Sequence, residues 1–204
     1  MLTANSHANS PHSIPYGRQY ISSEDIDDVV AVLKSDYLTQ GPIIDKFSNA
    51  ISEKVNSAFA IPVNSATSAL HIAYKSLGLK DGDCLWSSPN TFVATTNAAL
   101  FCGAKVDFVD IDERTYNICL NKLNEKLKIA RDNNTLPKVI TCVHFAGQSC
   151  LMEEIYNMSL EYGFKIVEDA SHAIGGLYLD ETIGSCKYSD ITVFSFHPVK
   201  IITT

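Results

Sequence analysis

The feature that most constrains this chain is an alternation of two periodicities. The runs Ala58–Val63, Cys84–Ser87, Val106–Ile111, Lys138–Val143, Phe164–Glu168 and Ile191–Phe196 are short and β-prone. Between most of them lie stretches with apolar residues at helical spacing: Ala66–Leu77, Thr91–Cys102, Leu120–Arg131 and Met152–Tyr162. A helix between consecutive strands is the usual crossover of parallel pairing, which cannot be closed by a tight turn. The expected fold class is therefore α/β: a three-layer αβα sandwich with a mostly parallel sheet.

Two helices are expected ahead of this region. Ser22-Ser23-Glu24-Asp25 supplies an N-cap and first-turn acids, and Ile26, Val29, Val30 and Leu33 follow at helical spacing to an end near Ser35. A second helix is expected from Pro42 to Val55. Residues 1–14, rich in Asn, Ser and His, read as a disordered lead, and residues 15–204 read as one domain.

Composition narrows the partners. The formal net charge is −7 and the 16 Lys and Arg are scattered, which argues against nucleic acid, since phosphate binding needs clustered cations. The six cysteines form no C-x-x-C pair, so neither a zinc knuckle nor a redox motif is expected and no metal is assigned. The first residues lack the basic and apolar regions of a signal peptide, and no stretch approaches the roughly 18 apolar residues of a membrane span. The expectation is a reduced, cytoplasmic, small-molecule protein without a membrane partner.

In parallel sheets ligands bind beyond the carboxyl ends of the strands, and three segments stand there. After Ala58–Val63, Asn64-Ser65-Ala66-Thr67-Ser68-Ala69-Leu70 opens a helix with small hydroxyl residues. That suits an anion such as phosphate, or plain N-capping. After Phe164–Glu168 come Asp169, Ser171 and His172. An acid there can pair with a pyridine nitrogen, or simply cap the loop. After the last β-run comes Lys200, whose amine is either a solvated charge or a nucleophile toward an aldehyde.

The order of five motifs resolves these pairs of readings. N-S-A-T-S-A-L from Asn64, T-F-V-A-T-T-N from Thr91, H-F-A-G-Q from His144, E-D-A-S-H-A from Glu168 and F-S-F-H-P-V-K ending at Lys200 stand in one order. Together they resemble the fold-type I pyridoxal-phosphate (PLP) aminotransferases that act on keto-sugar nucleotides. The resemblance implies that Lys200 is the Schiff-base lysine and that Asp169 pairs with the ring nitrogen. It further implies that Ser65, Ala66 and Thr67 hold the phosphate with Ser195 as another donor, that Phe92 stacks on the ring, and that His172 lies near the phenolic oxygen. Thr39, Gln40 and Gly41, within Tyr37–Pro42, match the family's substrate-side loop.

The same resemblance implies glutamate as amino donor, a nucleotide-sugar acceptor and a homodimer. The Ser-His pair after Asp169 and the His-Pro before the lysine are similar to the branch that aminates a UDP-4-keto-6-deoxy-N-acetylhexosamine at C4 in pseudaminic-acid biosynthesis. Members of the family continue past the lysine, so a large PLP-binding domain lacking its last part and a C-terminal small domain is expected. That leaves an inert fragment as one alternative. A PLP-dependent sugar dehydratase is another, disfavoured because it carries histidine at the lysine position; His197 is expected to belong to the loop. A dinucleotide-binding domain is disfavoured by the absence of G-x-G-x-x-G after the first strand.

Overall fold

Ser22 starts the first helix of the computed structural model, which describes residues 19–204; the expected lead over 1–14 and residues 15–18 lie outside the described residues. The Ser22 hydroxyl accepts the Asp25 N–H and the Asp25 carboxylate accepts the Ser22 N–H, a reciprocal capping box that opens α1 (Ser23–Leu33). Gly41 precedes α2 (Pro42–Val55), with proline at the first helical turn where its missing N–H costs nothing, and Asn56 ends it in the left-handed conformation.

The remaining elements are α3 (Ala66–Ser76), β1 (Cys84–Ser87), α4 (Val93–Phe101), β2 (Lys105–Phe108), α5 (Leu120–Asp132), β3 (Val139–Val143), a single 3-10 turn (Phe145–Gly147), α6 (Met152–Tyr162), β4 (Lys165–Asp169), β5 (Leu177–Tyr178), β6 (Glu181–Thr182) and β7 (Ile191–Val193). Five strands form one sheet in the order β2-β1-β3-β4-β7, with every pairing parallel. Alternate residues of β1, β3 and β4 feed two cores, whereas β2 and β7 contribute to one of them. Trp86, Ile140, Cys142 and Ile166 join Leu123, Leu127 and Ile155 of α5 and α6 on one face. Leu85, Val139, Val167 and Val193 join Leu70, Tyr74, Ala94, Ala98 and Ala99 of α3 and α4 on the other. A strand covered on both faces reads as a near-continuous apolar run, and all five residues of β3 are buried, with the one polar side chain, Thr141, hydrogen-bonded to the Tyr74 hydroxyl. Each fully buried Ile or Leu contributes about 1.5–3 kcal/mol by leaving water.

Chain direction at the carboxyl edge positions the site. β1 leads into α4 on one face, whereas β3 leads into α6 on the other, so the connections diverge between two neighbouring strands. Such a divergence opens a crevice beyond the carboxyl ends.

Three expectations fail locally, the first being the strand expected over Val106–Ile111, which spans Lys105–Phe108 instead. Ala58–Val63 forms no strand: it has no partner in the sheet, and Phe59 and Ile61 lie 86% and 82% exposed. β-propensity makes a strand only when a ladder is available to satisfy its backbone. The last strand stops at Val193 rather than Phe196, because β4 ends opposite it at Asp169. The hairpin β5-β6 is an addition, turned through Leu179 and Asp180, both at positive φ.

Candidate functional site

Asp169 is the last residue of β4, level with Val143 of β3 and Val193 of β7. Only 5% of it is exposed, and its two oxygens are fixed from different elements. Thr95 on α4 donates its hydroxyl to Oδ2 at 2.7 Å, while Ser171 donates its hydroxyl and its backbone N–H to Oδ1 at 2.6 and 3.2 Å. A carboxylate offers about four acceptor positions. The three donors leave capacity for one further N–H.

Thr95 sits one turn below Phe92, which heads α4 and leaves 74% of its surface exposed. The ring is therefore presented by the same helix end that holds Asp169. Thr95 is itself tied down: Thr91 donates to its hydroxyl at 2.8 Å, and Tyr74 of α3 donates to its carbonyl oxygen at 3.0 Å. Burial pushes the Tyr74 hydroxyl well above its usual range, so it stays protonated and available as that donor.

A second network lies beneath. His144 follows β3, and its Nε2 lies 2.6 Å from Glu168 Oε2 of β4. The Cys150 N–H donates to His144 Nδ1 at 3.1 Å, so the imidazole proton resides on Nε2 and points at Glu168. Ser189 and Thr192 donate to the other Glu168 oxygen. Burial opposes ionisation of Glu168, but these hydrogen bonds outweigh it and hold the carboxyl below its usual range. One buried side chain thus clasps β3, β4 and β7 immediately beside Asp169.

The loop after β4 carries His172, and the loop after β7 carries Lys200. They meet: Lys200 Nζ lies 2.7 Å from His172 Nε2. Lys200 is set by a turn in which its N–H donates to the His197 carbonyl oxygen at 2.8 Å, so His197 belongs to the loop as expected. Phe196 anchors the turn by stacking edge-on against Phe47 of α2. Burial, followed by the Lys200 charge, holds His172 below its ordinary value, with Asp169 pulling the other way.

Among the described residues, no hydrogen bond joins the other predicted residues to Asp169, His172 or Lys200; their side-chain bonds are local. Ser65 caps α3 by accepting the Ser68 N–H, and Ala66 and Thr67 form its first turn, which carries no acid. The positive end of α3 thus has no internal counter-charge. Ser195 stands two residues beyond Val193, its hydroxyl accepting the His197 N–H at 3.4 Å. Thr39, Gln40 and Gly41 lie immediately before α2. Gln40 is at positive φ, and Gly41 approaches Tyr37 so closely that a Cβ there would sit 2.6 Å from the Tyr37 Cβ. Among the described residues, no hydrogen bond joins Thr39–Gly41 to Asp169 or Lys200.

Sequence reading assigns no role to Thr95, Ser171, His144 or Glu168, although all four lie inside the motifs. The available signal is the clustering of hydroxyl and acidic residues at strand ends. Among the described residues, no group of His, Cys, Asp and Glu could hold a metal ion, and no helix is long and apolar enough to cross a membrane.

A parallel α/β sheet with a buried acid, an exposed aromatic ring and a lysine at its carboxyl edge defines an aminotransferase-type cofactor domain. The profile of the DegT/DnrJ/EryC1/StrS aminotransferase family matches residues 19–204, and the chain belongs to that family. The chain is 44% identical, over 94% of its length and 49% of the relative's, to the UDP-4-amino-4,6-dideoxy-N-acetyl-beta-L-altrosamine transaminase of Campylobacter jejuni. Helicobacter pylori PseC, an aminotransferase involved in the biosynthesis of pseudoaminic acid, superposes with a TM-score of 0.84 at 31% identity, over 93% of this chain and 49% of PseC. A Streptococcus pneumoniae protein named as a sugar aminotransferase, solved in a PLP form, gives 0.83 at 26% identity over 94% and 51% of the two chains. The chain thus spans about half the length of the relatives it matches.

The residues present fit PLP, the cofactor of this family. Asp169 offers the buried acceptor that a pyridine N–H would need, α3 offers a helix end free of acids that would suit a phosphate, and Lys200 offers an amine that could condense with an aldehyde.

Proposed function

We propose that residues 15–204 are the cofactor-binding domain of a PLP-dependent aminotransferase. Its substrates are glutamate and the C4 ketone of a UDP-4-keto-6-deoxy-N-acetylhexosamine, in pseudaminic-acid biosynthesis. The observation that carries the reading is the meeting of Lys200 with the Asp169 loop, at 2.7 Å through His172. The sugar assignment is supported by the names of the Campylobacter jejuni and Helicobacter pylori relatives. A cytoplasmic homodimer is the assembly that goes with it.

Pyridoxal phosphate, when bound, supplies an aldehyde and a ring that withdraws electrons. The chain's residues do the rest. Asp169 presents its carboxylate to the ring nitrogen and favours the protonated, more withdrawing form. Ser65, Ala66, Thr67 and Ser195 hold the phosphate, and Phe92 and His172 orient the ring. Lys200 Nζ would hold the cofactor's aldehyde at rest and, as a free amine at the same place, would serve as the general base and acid. Thr39, Gln40 and Gly41 bound the sugar side.

Borohydride reduction of the PLP-treated protein, followed by peptide mass mapping, tests the assignment. A phosphopyridoxyl group on Lys200 is the expected product; label elsewhere, or none, removes the reading. Glutamate should bleach the bound cofactor's absorption, and adding the UDP keto-sugar should restore it.

A further inference from the structure

The relation between His172 and Lys200 supports an assignment beyond orienting the cofactor. We infer that His172 is a positioning residue for Lys200: neutral His172 accepts a hydrogen bond from the Lys200 ammonium and parks the amine over the Asp169 loop before the cofactor arrives. The inference takes from the proposed function only that Lys200 is the anchoring amine.

Three observations carry it. The separation of 2.7 Å is hydrogen-bond distance, and an ammonium is a donor only, so Nε2 must be the acceptor and the imidazole proton must lie on Nδ1. The His172 backbone packs closely against the Gly147 turn, where a Cβ would come within 2.7 Å of the His172 carbonyl oxygen. Lys200 is reached from a separate strand, by a turn whose N–H is bonded to His197. Two independently fixed loops therefore bring their side chains to one point, which fixes where the amine waits.

The contact has an acid limit. Protonated His172 has no lone pair at Nε2 and carries a charge of the same sign as Lys200, so the contact exists only while the ring is neutral. The charged groups acting on the ring are Lys200, from the loop after β7, and Asp169, at the end of β4; the Gly147 turn meets it through backbone alone. Burial and Lys200 favour the neutral ring, which extends the contact below the ordinary histidine range.

The full chain and its H172Q and H172A variants test this by the rate at which Lys200 captures pyridoxal 5'-phosphate, followed by absorbance between pH 5 and pH 8. A second series replaces the cofactor with formaldehyde and cyanoborohydride and reads methylation of the Lys200 peptide by mass spectrometry. Rates are compared between variants at each pH, so the ratios report on residue 172. His172→Ala should capture about tenfold more slowly at pH 8, the weight of one oriented hydrogen bond. Glutamine accepts a hydrogen bond but does not titrate. The ratio of H172Q to unaltered protein should therefore be near one at pH 8 and climb as pH falls below the ordinary histidine range, with about tenfold as its ceiling. A flat ratio, or an alanine variant as fast as the parent, overturns the inference. If formaldehyde shows the pattern and pyridoxal phosphate is never captured, His172 still positions Lys200 and the proposed function is what fails.

Discussion

Thr95 donates its hydroxyl to Asp169 Oδ2 at 2.7 Å, joining residues 74 apart in sequence across the carboxyl edge of the sheet. The bond links the helix that presents Phe92 to the acid proposed to meet the ring nitrogen. Thr95→Val keeps the shape and removes the donor, leaving a buried carboxylate one partner short. The expected loss is about 1–3 kcal/mol of stability, read as a lower urea midpoint. Affinity for PLP should fall with it, and Thr95→Ser should recover both. A valine variant that binds the cofactor as tightly as its parent contradicts this role for Thr95.

The α3 N-terminus separates a plain cap from an anion site. Ser65→Ala removes the hydroxyl that accepts the Ser68 N–H, an expected destabilisation of about 0.5–2 kcal/mol. Thr67→Val leaves that cap intact. If the helix end also receives a phosphate, both variants should weaken binding of pyridoxal phosphate more than binding of pyridoxal. Equal losses for the two ligands would reduce Ser65 to a cap.

The fold was legible, and Asp169 and Lys200 could be named as candidates, because each rests on local pattern. Short β-prone runs between helical stretches made β1, β3 and β4 readable, α2 and α6 matched at both ends, and Asp169 and Lys200 stand at motif positions. What was not legible depends on partners remote in sequence. Ala58–Val63 has a strand's composition but no ladder, and Leu179-Asp180 turns a hairpin without a glycine in the turn. Glu168 looked like any strand-end acid; only the return of His144, Ser189 and Thr192 to one point makes it a clasp.

That clasp predicts an acid dependence. The Glu168 carboxyl sits below its ordinary value of 4.5 in the folded chain, so on acidification the unfolded chain takes up this proton first. The contribution is therefore complete above the ordinary value and drains away as pH falls toward the folded one. Glu168→Gln should be less stable than the parent at pH 7, and the gap between their urea midpoints should narrow by about pH 4. A gap that is the same at both pH values would show that the ionised carboxylate is not what the network uses.

Gly147 offers the sharpest test of how the loops are held, because a second glycine serves as its control. Gly147 and Gly163 both lie in the left-handed region, at φ +89° and +80°. An alanine at either position meets the same backbone strain, on the order of 1 kcal/mol. They differ in what the new methyl group meets: nothing within 4 Å at Gly163, but the His172 carbonyl oxygen at 2.7 Å at Gly147. Backbone cannot swing aside as a flexible side chain can, so Gly147→Ala must displace the His172 segment or the turn after β3. Gly163→Ala should lower the urea midpoint slightly and leave Lys200 capture of pyridoxal phosphate unchanged. Gly147→Ala should lower the midpoint further and slow capture severalfold, because the acceptor that parks the lysine has moved. Equal capture rates in the two variants would mean that the turn after β3 supports the fold without setting the position of His172.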